Sequence, residues 1–260
     1  MNIDFFRKIL EPLNFRGKAR LLHTISPKQG QRRDTIFGYQ INLDLADYIQ
    51  RSIYLRTFEP LESSWVKNYL KAGMTFVDVG ANIGYFTLMA SSLVGIRGRV
   101  IAFEPSPYAW NRLNETVKIN NLNQVIVMES GLSDVSGNID LFVPKTIGNH
   151  NSSMIPNDSG NALKVKIQRL DEYLDMNEID HIDLMKIDVE GFEPNVISGA
   201  GKYIESGKIR SILCEFNKYW LEANGSSPQI FFDLILRNGY QIKSGNFDPN
   251  CGLQNLLFSL

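Results

Sequence analysis

Four carboxylates stand where apolar runs stop. Asp78 closes TFV, Glu104 closes VIAF, Asp188 follows LMKI and Glu215 follows SILC. Each run reads as a strand, so each acid lies near a strand's carboxyl end, where open α/β sheets take their ligands. After Asp78 the chain reads G-A-N-I-G, Gly80 to Gly84, and an apolar helix starts at Tyr85. A dinucleotide loop needs glycine at three places. Here Asn82 stands at the second and would crowd a pyrophosphate, and Tyr85 at the third would obstruct helix–strand packing. NAD and FAD fit poorly, and GxxxxGK[ST] is absent, which argues against ATP in a P-loop. A ligand carrying an amino acid fits better. Asp78 could accept from an ammonium group or fix the loop, and amide groups from Gly80 to Gly84 would meet a carboxylate. Glu104, about 20 residues beyond the glycine turn, suits ribose hydroxyls and repels a 2′-phosphate. Amino acid plus ribose, without a pyrophosphate, describes S-adenosylmethionine.

A second block, DLMKIDVEGFE, places Lys186, Asp188 and Glu190 on one face of an extended chain. A central parallel strand is normally apolar on both faces, so charges here must be paired or wet. One reading is a Lys186–Asp188 ion pair that serves only the fold. The other takes Asp188 and Glu190 into the cleft as chemical groups. His150 lies in the polar stretch GNHNSSM, where an imidazole titrating near neutrality could act as a base or touch a substrate. Asn151 and Ser152 beside it can each donate and accept, which suits hydroxyl-rich ligands.

FVDVGANIGYFTL, VIAFEPSPYAWNRLNETVKINNL and DLMKIDVEGFEPNVISGA together resemble the FkbM-type family of S-adenosylmethionine-dependent methyltransferases, over roughly residues 75–220. The resemblance implies a class I methyltransferase (Rossmann-like) sheet, mostly parallel with one antiparallel edge strand. It also implies O-methylation of a sugar, glycan or hydroxylated natural product. By position Asp78, Gly80, Asn82 and Gly84 match the cofactor loop and Glu104 the ribose-binding acid. Ser130, Gly131 and Leu132 stand where the adenine packs, although no acid directly ends that strand and Asp134 comes later. Proton acceptance falls to Asp188 first, then His150, then Glu190. His150, Asn151, Ser152 and Glu215 are the acceptor-side residues. A metal held by Asp188, Glu190 or Glu215 is an alternative way to activate a hydroxyl. Mg²⁺ suits those oxygen ligands, but the spacing does not demand it. Two rivals stay open: an NAD-linked oxidoreductase on the same sheet, and an accessory subunit that binds cofactor without chemistry.

The elements that must position these residues alternate from Thr75 onward as strand and helix, the pattern of a parallel doubly wound sheet. The last two strands, Tyr240–Lys243 and Asn255–Phe258, read as an antiparallel hairpin at one edge. Pro144 to Asn161 reads as a polar loop. Residues 1–70 read as an N-terminal extension and 71–260 as the methyltransferase domain. The extension holds a helix, a basic loop through Gln29–Arg33, a hairpin turning at Gly38, and a helix from Asp47 to Leu70 broken near Pro60. Trp65, Trp110 and Trp220 read as core or helix-face residues.

The 260 residues carry a net charge of −1, which implies no general affinity for nucleic acid. The charge is uneven: residues 1–35 hold eight Lys/Arg against three Asp/Glu. Peripheral contact with a membrane surface through this segment is a lesser reading beside simple packing. No apolar run is long enough to span a bilayer, no secretory leader is visible, and Cys214 and Cys251 form no disulfide or zinc pattern. The expectation is a cytoplasmic protein with two reduced thiols.

Overall fold

A computed structural model describes residues 17–144 and 160–260 of the chain. The N-terminal part begins with α1 (Lys18–Ile25) and a hairpin of β1 (Gln31–Ile36) and β2 (Tyr39–Asp44). Phe37 and Gly38 make its turn, both at positive φ (52° and 87°), the backbone a two-residue hairpin turn requires. Next come α2 (Tyr48–Tyr54) and α3 (Pro60–Tyr69). Asp47 caps α2 by accepting from the Gln50 amide at 2.7 Å. The long helix is indeed interrupted before Pro60: α2 ends at Tyr54, and Arg56 and Glu59 in the connection both take positive φ (60° and 36°).

Alternation follows: β3 (Thr75–Val79), α4 (Tyr85–Val94), β4 (Arg99–Phe103), α5 (Pro107–Ile119) and β5 (Val125–Met128). Three further strands, β6 (Gly131–Leu132), β7 (Gly137–Pro144) and β8 (Gly160–Gln168), make a small separate sheet in the order β6-β8-β7. Then come α6 (Leu170–Met176), β9 (Leu184–Ile187), α7 (Glu193–Glu205), β10 (Ser211–Asn217), α8 (Lys218–Ala223), α9 (Pro228–Arg237), β11 (Gln241–Ser244) and β12 (Leu253–Ser259).

The central sheet has seven strands in the order β11-β12-β10-β9-β3-β4-β5. Strands β3, β4, β5, β9 and β10 run parallel, and β12 is antiparallel to both its neighbours. The antiparallel strand therefore lies one place in from the edge rather than at it. Burial explains this. Leu256, Leu257 and Phe258 of β12 are all buried, whereas β11 is largely exposed and carries Gln241 and Lys243. A polar strand tolerates the open edge and an apolar one does not.

Two layers of side chains cover the sheet. On one face Phe76, Val100 and Leu184 pack with Leu22, Ile41, Leu43, Ile53 and Val66 of the N-terminal elements and with Leu88 of α4 and Leu113 of α5. On the other face Val77, Ile101, Met185 and Ile212 pack with Leu174 of α6, Val196 of α7 and Phe231 of α9. Trp65 packs on the first layer, and Trp220 on a third cluster under the small sheet. Cys214 and Cys251 are free thiols.

Three local expectations change. The basic stretch at Arg32 and Arg33 is strand β1, not loop. The short strands expected at Asn138–Val143 and Lys164–Ile167 extend to Pro144 and from Gly160. The loop readings at His150, Asn151 and Ser152 fall outside the described residues.

Candidate active site

A cavity of about 400 Å³ opens at the carboxyl ends of β3, β4, β9 and β10. Its wall includes Asp78, Gly80, Asn82, Glu104, Gly131, Leu132, Lys186, Asp188, Glu190 and Glu215, so most of the expected residues do converge. Two do not line it. Ser130 is buried, its hydroxyl accepting from the Gln168 side-chain amide at 2.6 Å. Gly84 opens α4 at φ 92°, and a Cβ there would lie 2.3 Å from Leu113 Cδ1, so its glycine serves helix packing.

The glycine turn owes its other glycine to a neighbouring loop. A Cβ on Gly80 would lie 1.9 Å from the Asp188 carbonyl oxygen. Adjacent strands β3 and β9 thus bring the DVGAN and KIDVEG loops into backbone contact, which only glycine permits. The amides of this turn are not free for an incoming carboxylate, contrary to the sequence expectation. Gly80 and Ala81 donate to the Phe103 carbonyl, Asn82 to Glu104 Oε2, Ile83 to Asn82 Oδ1 and Gly84 to the Ala81 carbonyl. The turn is closed on itself, and carboxylates face the cavity beside it.

Those carboxylates are held by specific partners. Asp78, 1% exposed, accepts from Thr87 Oγ1 at 2.6 Å, and burial raises its pKa. Glu104 accepts from the amides of Asn82 (2.7 Å) and Ser106 (2.8 Å), and burial outweighs those bonds to push it up to about 7. Each oxygen keeps a second lone pair for a ligand hydroxyl. Glu193 is fully buried, and its Oε1 accepts from the amides of Val189 and Gly191, fixing the loop that carries Asp188 and Glu190.

Lys186, 5% exposed on a central strand, lies 2.8 Å from Asp188 and 3.9 Å from Glu59, with its ammonium 4.6 Å from the centre of the Phe86 ring. Burial opposes its charge, but Asp188, Glu59 and Asp78 overcome that and raise its pKa above the ordinary lysine range. The Lys186–Asp188 ion pair read from the sequence is present, and its members also line the cavity. Glu190 sits at φ 51°, and its Oε2 is buried without a hydrogen-bond partner. Burial, reinforced by Asp188 and Glu193, pushes Glu190 up to about 8. Burial with Asp188, Glu190 and Glu193 pushes Glu215 up to about 10.

The sequence reading missed the wall supplied by the N-terminal elements. Asp47, Tyr48, Ile49, Ile53, Phe58 and Glu59 all line the cavity. Glu59 is raised to about 7 by burial, despite Lys186. Tyr85, disfavoured at a dinucleotide turn, faces these elements: its hydroxyl lies 3.1 Å from Ser63 Oγ and its ring packs edge-on against Phe37 and Phe58. The only sequence signal at Glu59 was the helix start marked by Pro60. Among the described residues no group of three His, Cys, Asp or Glu side chains is placed so that it could hold a metal ion. Nor, among them, is any helix long and apolar enough to cross a membrane.

The cavity suits a cationic, hydroxyl-bearing ligand. Glu59, Asp78, Glu104, Asp188, Glu190 and Glu215 face one lysine that is already paired. This lining and the strand order, with its penultimate antiparallel strand, define a class I methyltransferase. The chain belongs to the FkbM methyltransferase family: the family model described as Methyltransferase FkbM domain matches residues 78–242. It is 29% identical to Methyltransferase sdnD of Sordaria araneosa over 59% of this chain and 69% of that one. It is 31% identical to the hexuronic acid methyltransferase AglP of Haloferax volcanii, over 50% of this chain and only about half (51%) of that protein. Among solved structures, Aeropyrum pernix fibrillarin with bound S-adenosyl-L-methionine aligns over 91% of this chain and 85% of that one, at 14% identity and a TM-score of 0.47.

Proposed function

We propose that this protein is an S-adenosylmethionine-dependent O-methyltransferase acting on a hydroxyl of a sugar, glycan or hydroxylated natural product. The observation that carries the reading is the acid-lined cavity at the strand ends in a chain of this family. A sulfonium and an ammonium group are both cationic, and seven carboxyl groups around a single paired lysine match them. The kinship with a hexuronic acid methyltransferase supports a sugar acceptor.

The cofactor would supply a methyl group on a positively charged sulfur. Asp78 would hold the ammonium group and Glu104 the ribose hydroxyls. Pro105, Ala109, Gly131 and Leu132 would offer an apolar slot for the base. On the other side Asp188, Glu190, Glu215 and the aromatic Tyr48 and Phe58 would face the acceptor. Transfer needs the acceptor oxygen aligned with the methyl carbon and relieved of its proton as it attacks. Glu190 now ranks ahead of Asp188 for that proton. Asp188 is committed to Lys186 at 2.8 Å, whereas Glu190 Oε2 is buried without a partner. A carboxyl near pH 8 is also well matched to proton transfer at neutral pH.

The test is calorimetry with S-adenosylmethionine, followed by labelled methyl transfer to a panel of sugars, uronic acids and hydroxylated metabolites read by mass analysis. Binding with mass gain on a hydroxyl is expected. Failure to bind the cofactor overturns the reading. Binding without transfer to any member of the panel favours the accessory-subunit rival.

A further inference from the structure

A second cavity, of about 340 Å³, opens between the N-terminal hairpin and α5. Gln31, Arg32, Arg33 and Asn42 form its hairpin wall, and Arg112, Glu115 and Thr116 its helical wall. Three arginines and one glutamate thus line the space, Arg32 and Arg33 as successive residues of β1 and Arg112 from α5. Arg112 is held in place from two sides. Its Nη2 donates to the Asn42 carbonyl at 2.6 Å, and its guanidinium lies 5.7 Å from the centre of the Tyr108 ring. A guanidinium has five N–H donors, so this anchoring leaves others to face the cavity. Arg32 and Arg33 are exposed strand residues, and Arg32 donates only to the carbonyl of its neighbour Gln31 among the bonds described for it. Planar forks of this kind match the oxygens of a phosphate two at a time.

Position ties this cleft to the active site. Ala109 of α5 lines the main cavity, while Arg112 and Thr116 line the second. They lie about 5 and 10 Å further along the helix axis. The hairpin connects the same way: Asn42 is in one wall and Asp47 and Tyr48 in the other. Tyr48, which faces the acceptor in the arrangement proposed above, is the lining residue that links the cleft to the acceptor side. The basic residue lining the main cavity, Lys186, is already paired with Asp188, so the phosphorylated end of an acceptor needs a basic seat outside it.

We propose that the Arg32–Arg33–Arg112 cleft binds the phosphate or diphosphate of a phosphorylated sugar acceptor whose hydroxyl is methylated in the main cavity. The proposal rests on the O-methyltransferase reading for the acceptor, but the site itself is testable without turnover. Titration of the protein with inorganic pyrophosphate at low salt, followed by calorimetry, is the first arm. The wild type should bind, with affinity falling as salt screens the arginines. R32A/R33A should bind about tenfold or more weakly. E115Q, which removes the opposing charge, should bind severalfold more tightly. Thermal melts should show both variants folded, since Arg32, Arg33 and Glu115 are exposed. No binding by the wild type, or equal binding by R32A/R33A, overturns the site even if the enzyme methylates sugars. The second arm adds pyrophosphate to the methylation assay. It should raise the KM of a sugar-phosphate acceptor and leave that of the unphosphorylated sugar and of the cofactor unchanged. Pyrophosphate that binds without this competition overturns the assignment to the acceptor. Absence of any methylation speaks against the function proposed above, while the calorimetric arm still reads the cleft.

Discussion

Glu190 and the carboxyls around it decide how the site responds to substitution and to pH. Glu190→Gln keeps the shape and removes the proposed base. It should lower kcat by about 10²–10⁴-fold and shift cofactor affinity far less. An unchanged kcat returns the role to Asp188, for which Asp188→Asn is the parallel variant. The pH dependence follows from the raised acids. Glu59 and Glu104 are pushed up to about 7 and Glu190 to about 8, each chiefly by burial. A carboxyl raised in the fold keeps a proton that the unfolded chain releases near 4.5. Its contribution to stability is therefore full below that value and lost as pH rises through about 7 to 8. A cationic ligand favours the ionised form. Binding of S-adenosylmethionine should then release protons and tighten between pH 6 and 8.5, and calorimetry in two buffers of different ionisation enthalpy reads this directly. Proton uptake on binding, or affinity flat across that range, would contradict the picture of a cation held by ionising carboxyls.

At the scale of elements, the site depends on two loops pressed together. Gly80→Ala would place a methyl group 1.9 Å from the Asp188 carbonyl on backbone at φ 80°. The loops after β3 and β9 would have to part. We expect a loss of about 2–4 kcal/mol in unfolding free energy, together with weaker cofactor binding. A melting temperature equal to the parent's would mean the loops are looser than the geometry shows. Lys186 is the counterpart inside the sheet. Lys186→Met removes the cation that neutralises Asp78, Asp188 and Glu59, and breaking such a buried pair costs about 3–5 kcal/mol. Denaturant unfolding measures this. Restoration of stability on adding Asp188→Asn would show that the unpaired acid, not lost packing, was the cause.

For the whole molecule, the N-terminal elements behave as part of the core. Leu22, Ile41, Leu43, Ile53 and Val66 share one buried cluster with Phe76, Leu88 and Val100 of the central sheet and α4. The same elements close the cavity through Tyr48, Phe58 and Glu59. We therefore propose that the division at residue 70 is one of sequence pattern and not of folding. The intact chain should unfold in one calorimetric transition, and residues 71–260 alone should fail to give a native-like melt. Two separated transitions, or a folded and cofactor-binding 71–260, would make the extension an independent unit.

The sequence by itself determined the parts that depend on local pattern. Apolar runs ending in acids placed Asp78, Glu104, Asp188 and Glu215 at the strand ends, and a parallel sheet brought those ends together. The alternation of Lys186 with Asp188 foretold the ion pair, because two residues apart on a strand share a face. The hairpin turn at Gly38 and the break before Pro60 were legible for the same reason: their chemistry is set by neighbours in the chain. Only the tertiary structure decided the rest. Gly80 needs to be glycine because of a carbonyl more than a hundred residues away. Glu59 reaches Lys186 because α3 is packed on the sheet, and nothing in FEP announces it. Amides that looked free in the G-A-N-I-G turn are taken up by Phe103 and Glu104 from the next strand. The burial of Glu190 and the lack of a partner for its Oε2, on which its proposed role as base rests, are properties of the assembled cavity, set by everything packed around a residue and by no pattern along the chain.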